Sequence, residues 1–332
     1  MVKRVSVNPE IHCIYVDLPE NPLRVLNVYV IRSQGQSVII DTGFNRPECH
    51  DAFWTGIAEL ELDLLRTSLF LTHLHSDHTG LVWSLVEKGI PVYMSRVDHE
   101  LLNDPNGVGR LILDDRFLRE GYPAEELALQ RRDNQGRRYA PKLGFPVIPV
   151  EDGRIFSLGS IKIKAILTPG HTPGHMVLYL PQYQILFSGD HILFDITPNI
   201  SIWGENDHSL KDYISSLLKI RTVPILTVFP AHRKTAPDVY QRIGQLIWHH
   251  GYRLNEIYEA VRDFPGSTAF ELSGHISWSV RGLGWEKFPP HQKWFAVSET
   301  LAHLDYLMER GQIYRDSDSE LVRYYPVGFY TK

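Results

Sequence analysis

Nine consecutive residues, Thr72-His73-Leu74-His75-Ser76-Asp77-His78-Thr79-Gly80, hold three histidines and one aspartate. Imidazole and carboxylate are costly to bury unpaired, so a packed core gains nothing by collecting them. Together they suit a borderline divalent cation such as Zn²⁺. Groups of the same kind recur later, at His171 in Thr168-Pro169-Gly170-His171, at Asp190 in Ser188-Gly189-Asp190, and at His232 in Pro230-Ala231-His232. The combined set of five imidazoles and two carboxylates is enough for two adjacent metal ions. A carboxylate bridges two metals and an imidazole does not, so Asp77 or Asp190 must bridge.

Such groups need elements to aim them. Residues 67–71 form a short apolar run that reads as a buried strand, and 81–86 read as a helix ending near Gly89. The polar cluster between them therefore sits at the carboxyl end of a strand, where open sheets place ligand sites. His73 and His75 are two apart and share a face if the chain is extended. His171, Asp190 and His232 each follow another strand-like run: 161–166, 184–188 and 223–229. His175 opens the next strand, 176–180, and is expected to be structural or to support a ligand. His191 is expected outside the ligand set.

The first forty residues also look like β-structure. Residues 11–16 and 25–31 are rich in β-branched and aromatic types, and Ser33-Gln34-Gly35-Gln36 supplies a hairpin turn before 37–40. The return strand ends in Asp41-Thr42-Gly43, whose local sequence favours a cap or turn over a group that orients a metal-bound histidine. Residues 50–65 are predicted helical. Residues 95–150 break the pattern, apart from a helix near 111–120, and are read as an insertion or lid over the site. Arg131, Arg132, Arg137 and Arg138 lie in a stretch read as a solvated charged loop rather than as an anion contact.

The chain has 332 residues, is 43% hydrophobic and 22% charged, and carries a net charge of −5. That length suggests two domains, and that charge gives no reason to expect a nucleic-acid or anionic-membrane partner. Its two cysteines, Cys13 and Cys49, imply neither a disulfide framework nor a cysteine-rich zinc site. No apolar signal-peptide core or membrane-spanning run is visible, so a cytoplasmic location is expected.

Residues 72–78 resemble the His-x-His-x-Asp-His signature of the metallo-β-lactamase superfamily. Asp41, His171, Asp190 and His232 match its remaining motifs in the family's order. The resemblance covers roughly residues 10–235. It implies an α+β fold, an αββα sandwich of two facing sheets with helices outside. It also implies that His73, His75 and His171 hold one metal, that Asp77, His78 and His232 hold a second, and that Asp190 bridges. On that footing Asp41 becomes a site-supporting acid. His75 stands where related diiron oxygen-reducing proteins carry glutamate, which points to hydrolysis rather than redox chemistry. Within the superfamily the sequence resembles the hydroxyacylglutathione hydrolase (glyoxalase II-like) branch more than the antibiotic-degrading enzymes. The implied enzyme holds two divalent ions, zinc first, with iron or manganese accepted by the same ligands. It directs a metal-bridging hydroxide at a small acyl substrate, a thioester, ester or lactone, with Asp77 as the catalytic group.

After residue 235 the pattern changes. Residues 238–262 and 292–310 are predicted helices, Ser267 or Thr268 can cap a helix between them, and 313–325 form a hairpin. Helices followed by a hairpin resemble a winged-helix module, so the expected domains are 1–235 and 236–332. Winged helices often bind DNA, which makes a phosphodiesterase or nuclease the alternative. Residues 236–332, however, carry ten Lys or Arg against twelve Asp or Glu. Backbone binding needs a basic face, so the module is expected to wall the site or build a homodimer.

Overall fold

The computed structural model describes residues 1–104, 108–204, 208–278 and 282–328. Within the expected 95–150 insertion, the loop-like stretch Asp104-Pro105-Asn106-Gly107 falls partly outside the described residues, at 105–107. The chain divides into two compact units. The first comprises Met1–Pro105, Gln135–Pro198 and Ser216–Ile243; the second comprises Asn106–Asn134, Asn199–Ser215 and Gly244–Lys332.

The first unit holds two sheets. One runs in order β1 (Val2–Ser6), β2 (Glu10–Asp17), β3 (Val25–Ser33), β4 (Gln36–Ile40), β5 (Thr67–Phe70), β6 (Val92–Ser95), β7 (Ile148–Val150). Its first four strands are antiparallel, and β4 to β7 are parallel. The β3–β4 turn is the expected one, with Gln34 and Gly35 both at positive φ. The second sheet is built from β8 (Ile155–Leu158), β9 (Ile161–Leu167), β10 (Met176–Leu180), β11 (Ile185–Gly189) and β12 (Thr227–Pro230). Only its β11–β12 pair is parallel.

The sheets meet face to face. Ile11, Tyr29, Ile31, Ile40 and Phe70 from one pack against Ile163, Ala165, Leu178, Phe187 and Phe229 from the other. The Tyr29 ring lies 5.3 Å from that of Phe187 and 5.2 Å from that of Phe229. Cys13 and Cys49 are buried and free.

Three expectations are redrawn. The helix expected over 50–65 runs Pro47–Glu59, because Glu61 adopts a left-handed φ of 49°. The charged loop holding Arg131 is instead helix, Ala124–Asp133 followed by Gln135–Arg138. Residues 95–150 do not stay together as one insertion: 106–134 group with the second unit and the rest with the first, and the first unit extends past 235 to Ile243.

In the second unit Phe117 stacks on Trp294 at 5.2 Å, and Arg116 pairs with both carboxylate oxygens of Asp305 at 2.7 Å. Its C-terminal part carries the helix Ala269–Ser273, opened by the Thr268–Glu271 capping box, then Pro290–Glu309. The hairpin β13 (Ile313–Asp316) and β14 (Arg323–Pro326) follows. No helix among the described residues is long and apolar enough to cross a membrane.

Candidate metal centre

Five strand ends converge in the first unit. β4 delivers Asp41, β5 delivers Thr72 to His78, β9 leads into the loop carrying His171, β11 delivers Asp190 and β12 delivers His232. The side chains concerned form overlapping groups whose candidate ligand atoms lie within 4.8 Å of one another: His73 with His75 and His171, Asp77 with His78 and His232, and His73 with His78 and Asp190.

In the first trio His75 Nδ1 lies 3.0 Å from both His73 Nε2 and His171 Nε2. The other nitrogen of His73 is engaged by Thr72 Oγ1 at 3.0 Å, which turns Nε2 inward. Burial, then the neighbouring imidazoles, hold His73 well below the usual histidine range. Burial and His171 hold His75 at about 3. Both rings are therefore neutral at pH 7 and keep lone pairs for a cation.

The second trio is held differently. His78 Nδ1 donates to Asp41 Oδ2 at 2.8 Å, and His232 Nδ1 donates to the Val25 carbonyl at 2.8 Å. These bonds set the tautomers and leave both Nε2 atoms facing Asp77 and Asp190. Asp41 also accepts from the Thr72 N–H at 2.8 Å and from the Thr72 hydroxyl. It thus works as the site-supporting acid that the family resemblance implies, not merely as a turn former. Burial alone would lower His78, but Asp41, Asp77 and Asp190 push it up to about 10. His232 is likewise raised, burial being outweighed by Asp190 and Asp77. Burial alone would raise Asp77, but His78, His232 and His75 hold it below the carboxylate range.

Asp190 spans the two trios. Its Oδ1 is 3.7 Å from His78 Nε2 and 3.5 Å from His232 Nε2, while its Oδ2 is 3.6 Å from His171 Nε2. His175 fixes its backbone: the ring meets Thr168 Oγ1 at 2.9 Å through Nδ1 and accepts the Asp190 N–H at 3.2 Å through Nε2. Gly189 makes this approach feasible. It sits at a φ of +51°, and a Cβ there would lie 2.7 Å from His175 Nε2.

Whether a cation fits is decided by four buried atoms. Asp77 Oδ2, His78 Nε2, Asp190 Oδ1 and His232 Nε2 are all buried without a hydrogen-bond partner among the described residues. They nevertheless face one another at 3.3–3.7 Å. Native interiors rarely leave such atoms unsatisfied. Two carboxylates and two imidazoles aimed at one point are a donor set for a divalent ion, and without it the imidazole protons supply the balancing charge.

Asp98, which the sequence reading passed over, is fully buried beside the first trio. It accepts from the Leu74 and Gly174 backbone N–H groups and from the Thr172 hydroxyl, and burial pushes its carboxyl up to about 6. Its sole sequence signal is Ser95-x-x-Asp98, a helix-start pattern: Ser95 Oγ caps the Asp98 N–H. His191 is fully buried and belongs to none of the metal-competent groups. Arg131 pairs with Asp114, Arg132 with Asp133, and Arg138 lies over the Tyr139 ring.

Comparison with known proteins agrees with this geometry. The family model described as the metallo-β-lactamase superfamily matches residues 22–232. The chain belongs to the metallo-β-lactamase superfamily. A second model, the metallo-β-lactamase-like C-terminal domain, matches residues 283–327. A metallo-β-lactamase family protein from Thermus thermophilus superposes with a TM-score of 0.80 at 28% identity, covering 96% of this chain and 99% of that one. The chain is 24% identical over 269 residues to the β-lactamase-like protein 2 homolog of Caenorhabditis elegans, covering 78% of this chain and 74% of that protein. It is also 24% identical over 241 residues to an atrochrysone carboxyl ACP thioesterase of Aspergillus fumigatus, covering 73% of this chain but only 61% of the fungal protein. Superfamily membership makes this chain a hydrolase fold with a metal site; its ligands and substrate go beyond that.

Proposed function

We propose that the chain is a binuclear metal-dependent hydrolase of small acyl thioesters, with related esters and lactones as further substrates. The observation that carries this reading is the convergence of the four unpartnered buried atoms of Asp77, His78, Asp190 and His232 on one point beside the His73–His75–His171 trio. His73, His75 and His171 would hold one ion and Asp77, His78 and His232 the other. Asp190, with one oxygen turned to each trio, would bridge. Zinc suits this nitrogen-rich set, and iron or manganese would be accepted by the same ligands. When bound, the ions supply Lewis-acid activation of water and polarisation of an acyl carbonyl.

The chain's own residues do the rest. Asp77, on the carboxylate oxygen that an ion leaves free, would hold the attacking water's proton and pass it to the departing thiolate or alkoxide, which leaves an acid and a thiol or alcohol. Before an ion binds, His78 and then His232, whose Nε2 lies 3.3 Å from Asp77 Oδ2, favour the ionised form of Asp77. Asp41 fixes His78, and His175 fixes the Asp190 backbone, so the ligands are pre-set before substrate arrives. The curated relatives that include ACP thioesterases favour a thioester among carbonyl substrates. The chain spans only part of several of them, so their particular substrates are not assumed.

The test is a hydrolysis panel of acyl thioesters, lactones, phosphodiesters and β-lactams, with metal content measured on the same samples. Thioester turnover that scales with bound metal supports the reading; turnover confined to phosphodiesters overturns it.

A further inference from the structure

We infer that Asp98 is a positioning residue for the His73–His75–His171 subsite, a buried carboxylate that sets the spacing of the two loops from which those histidines project. The inference rests on the metal-site reading above and adds a residue to it.

His73 and His75 come from the loop after β5, and His171 from the loop after β9. These loops belong to different sheets, and one backbone bond already ties them, from the Met176 N–H at the start of β10 to the Thr72 carbonyl at 2.8 Å. The Asp98 side chain also joins them. Its Oδ2 accepts the Leu74 N–H at 2.9 Å and the Thr172 hydroxyl at 2.6 Å, and its Oδ1 accepts the Gly174 N–H at 2.6 Å. Leu74 is the residue between His73 and His75, and Thr172 follows His171. One carboxylate thus grips both loops beside their ligands.

The surroundings are built for this contact. Asp98 and Thr172 are fully buried. A Cβ at Gly174 would stand 2.7 Å from Asp98 Oδ1 and 2.6 Å from its backbone nitrogen, so a larger residue would push the second loop away. Asp98 itself is held by its place in the helix Arg96–Leu102, whose Ser95 cap bonds the Asp98 N–H at 3.1 Å. Asp98 acts on the backbone next to the ligands, whereas Asp41 bonds the His78 ring directly. Ligand geometry tolerates displacements of only about 0.5 Å, so loop spacing is a lever on affinity.

The test uses the full chain and Zn²⁺ titration of the metal-free protein against a competing chelator. Asp98→Asn, Thr172→Val and Thr172→Ser are compared in the parent and in a His78→Ala background, which isolates the His73–His75–His171 subsite. Melting temperature without metal is recorded in parallel. Asp98→Asn is expected to weaken the step that persists in the His78→Ala background by ~10–100-fold while changing the other by less than ~3-fold. Thr172→Val should weaken the same step, and Thr172→Ser, which keeps the hydroxyl, should restore it. Should Asp98→Asn fail to fold, the Thr172 pair decides. Equal weakening of both steps, or a lower melting temperature with both steps unchanged, overturns the inference and leaves Asp98 a packing residue. A parent protein that binds fewer than two ions overturns the binuclear reading instead, and this inference falls with it.

Discussion

Two buried clusters in this molecule use the same residue types. One is the metal centre of the first unit. The other lies in the second unit, where His249, His250 and Glu299 bring candidate ligand atoms within 4.8 Å of one another. In the second cluster His303 Nδ1 donates to the Glu299 carbonyl at 2.7 Å, so its Nε2 is left to accept from His250 Nδ1 at 3.2 Å. His250 Nε2 is then a buried acceptor without a partner among the described residues, much like the orphaned atoms of the first unit. The difference is Arg253. Its Nε stands 3.7 Å from Glu299 Oε1, and its guanidinium lies 4.3 Å from the centre of the Trp278 ring. In the first unit Asp41, Asp77 and Asp190 raise His78, and Asp190 and Asp77 raise His232, so these rings favour a proton that a bound cation would displace. A guanidinium keeps its proton. Residue types alone do not separate the two clusters; whether the neighbouring positive charge can be displaced does.

The largest effect expected on the first cluster comes from Asp77→Asn, which removes one charge and the proton-holding oxygen while keeping the shape. Turnover should fall by ~10²–10⁴-fold with far-ultraviolet circular dichroism unchanged. Near-normal turnover at full metal content would remove Asp77 from the chemistry. Asp41→Asn should come next. It leaves every ligand in place but weakens the acceptor that orients His78, so affinity at the Asp77–His78–His232 subsite should drop ~10–100-fold in a chelator competition, with the other subsite retained.

The second cluster should respond to pH rather than to metal. Burial raises Glu299 from its ordinary value of 4.5 to about 7, with Arg253 and Asn199 partly opposing. Folding therefore takes up a proton between those values, and stability falls as pH rises through that window. Glu299→Gln cannot ionise, so thermal melts should show its stability gaining on the parent from pH 5 to pH 8, by no more than about 3 kcal/mol. A gap that stays constant or moves the other way would mean that Arg253 keeps Glu299 ionised throughout. The smallest expected effect is none at all: zinc-saturated protein should hold two ions per chain by elemental analysis, and His250→Gln should leave that number unchanged. A third ion, lost in that variant, would break the comparison.

The convergence of the candidate ligands was largely legible in the sequence because each follows an apolar strand abruptly, a pattern that packing alone does not produce. His73, His75, Asp77, His78, His171, Asp190 and His232 all come together as that pattern suggested. Asp98 was not legible. It stands alone, about twenty residues past the His-rich loop, and its partners are two backbone N–H groups and a hydroxyl that no spacing rule ties to it. The helix Ala124–Asp133 was missed for a related reason: only Leu127 and Gln130 are buried, too few to print a helical period. The end of the helix Pro47–Glu59 was overrun because the apolar spacing continues through Leu60 and Leu64, while the backbone reverses at Glu61.

The convergence of strand ends has one more consequence. The ligands lie far apart along the chain, and they come from both sheets: His73 follows β5, whereas His171, Asp190 and His232 follow β9, β11 and β12. Closing so long a loop is entropically costly, so the centre cannot assemble until the sandwich itself has formed. Bound metal would then act as a rivet through the seam between the sheets, adding nothing to the folding rate but slowing the reverse reaction. Chelation should therefore speed unfolding while leaving refolding almost untouched, and amide exchange should quicken first at the strand ends that carry the histidines.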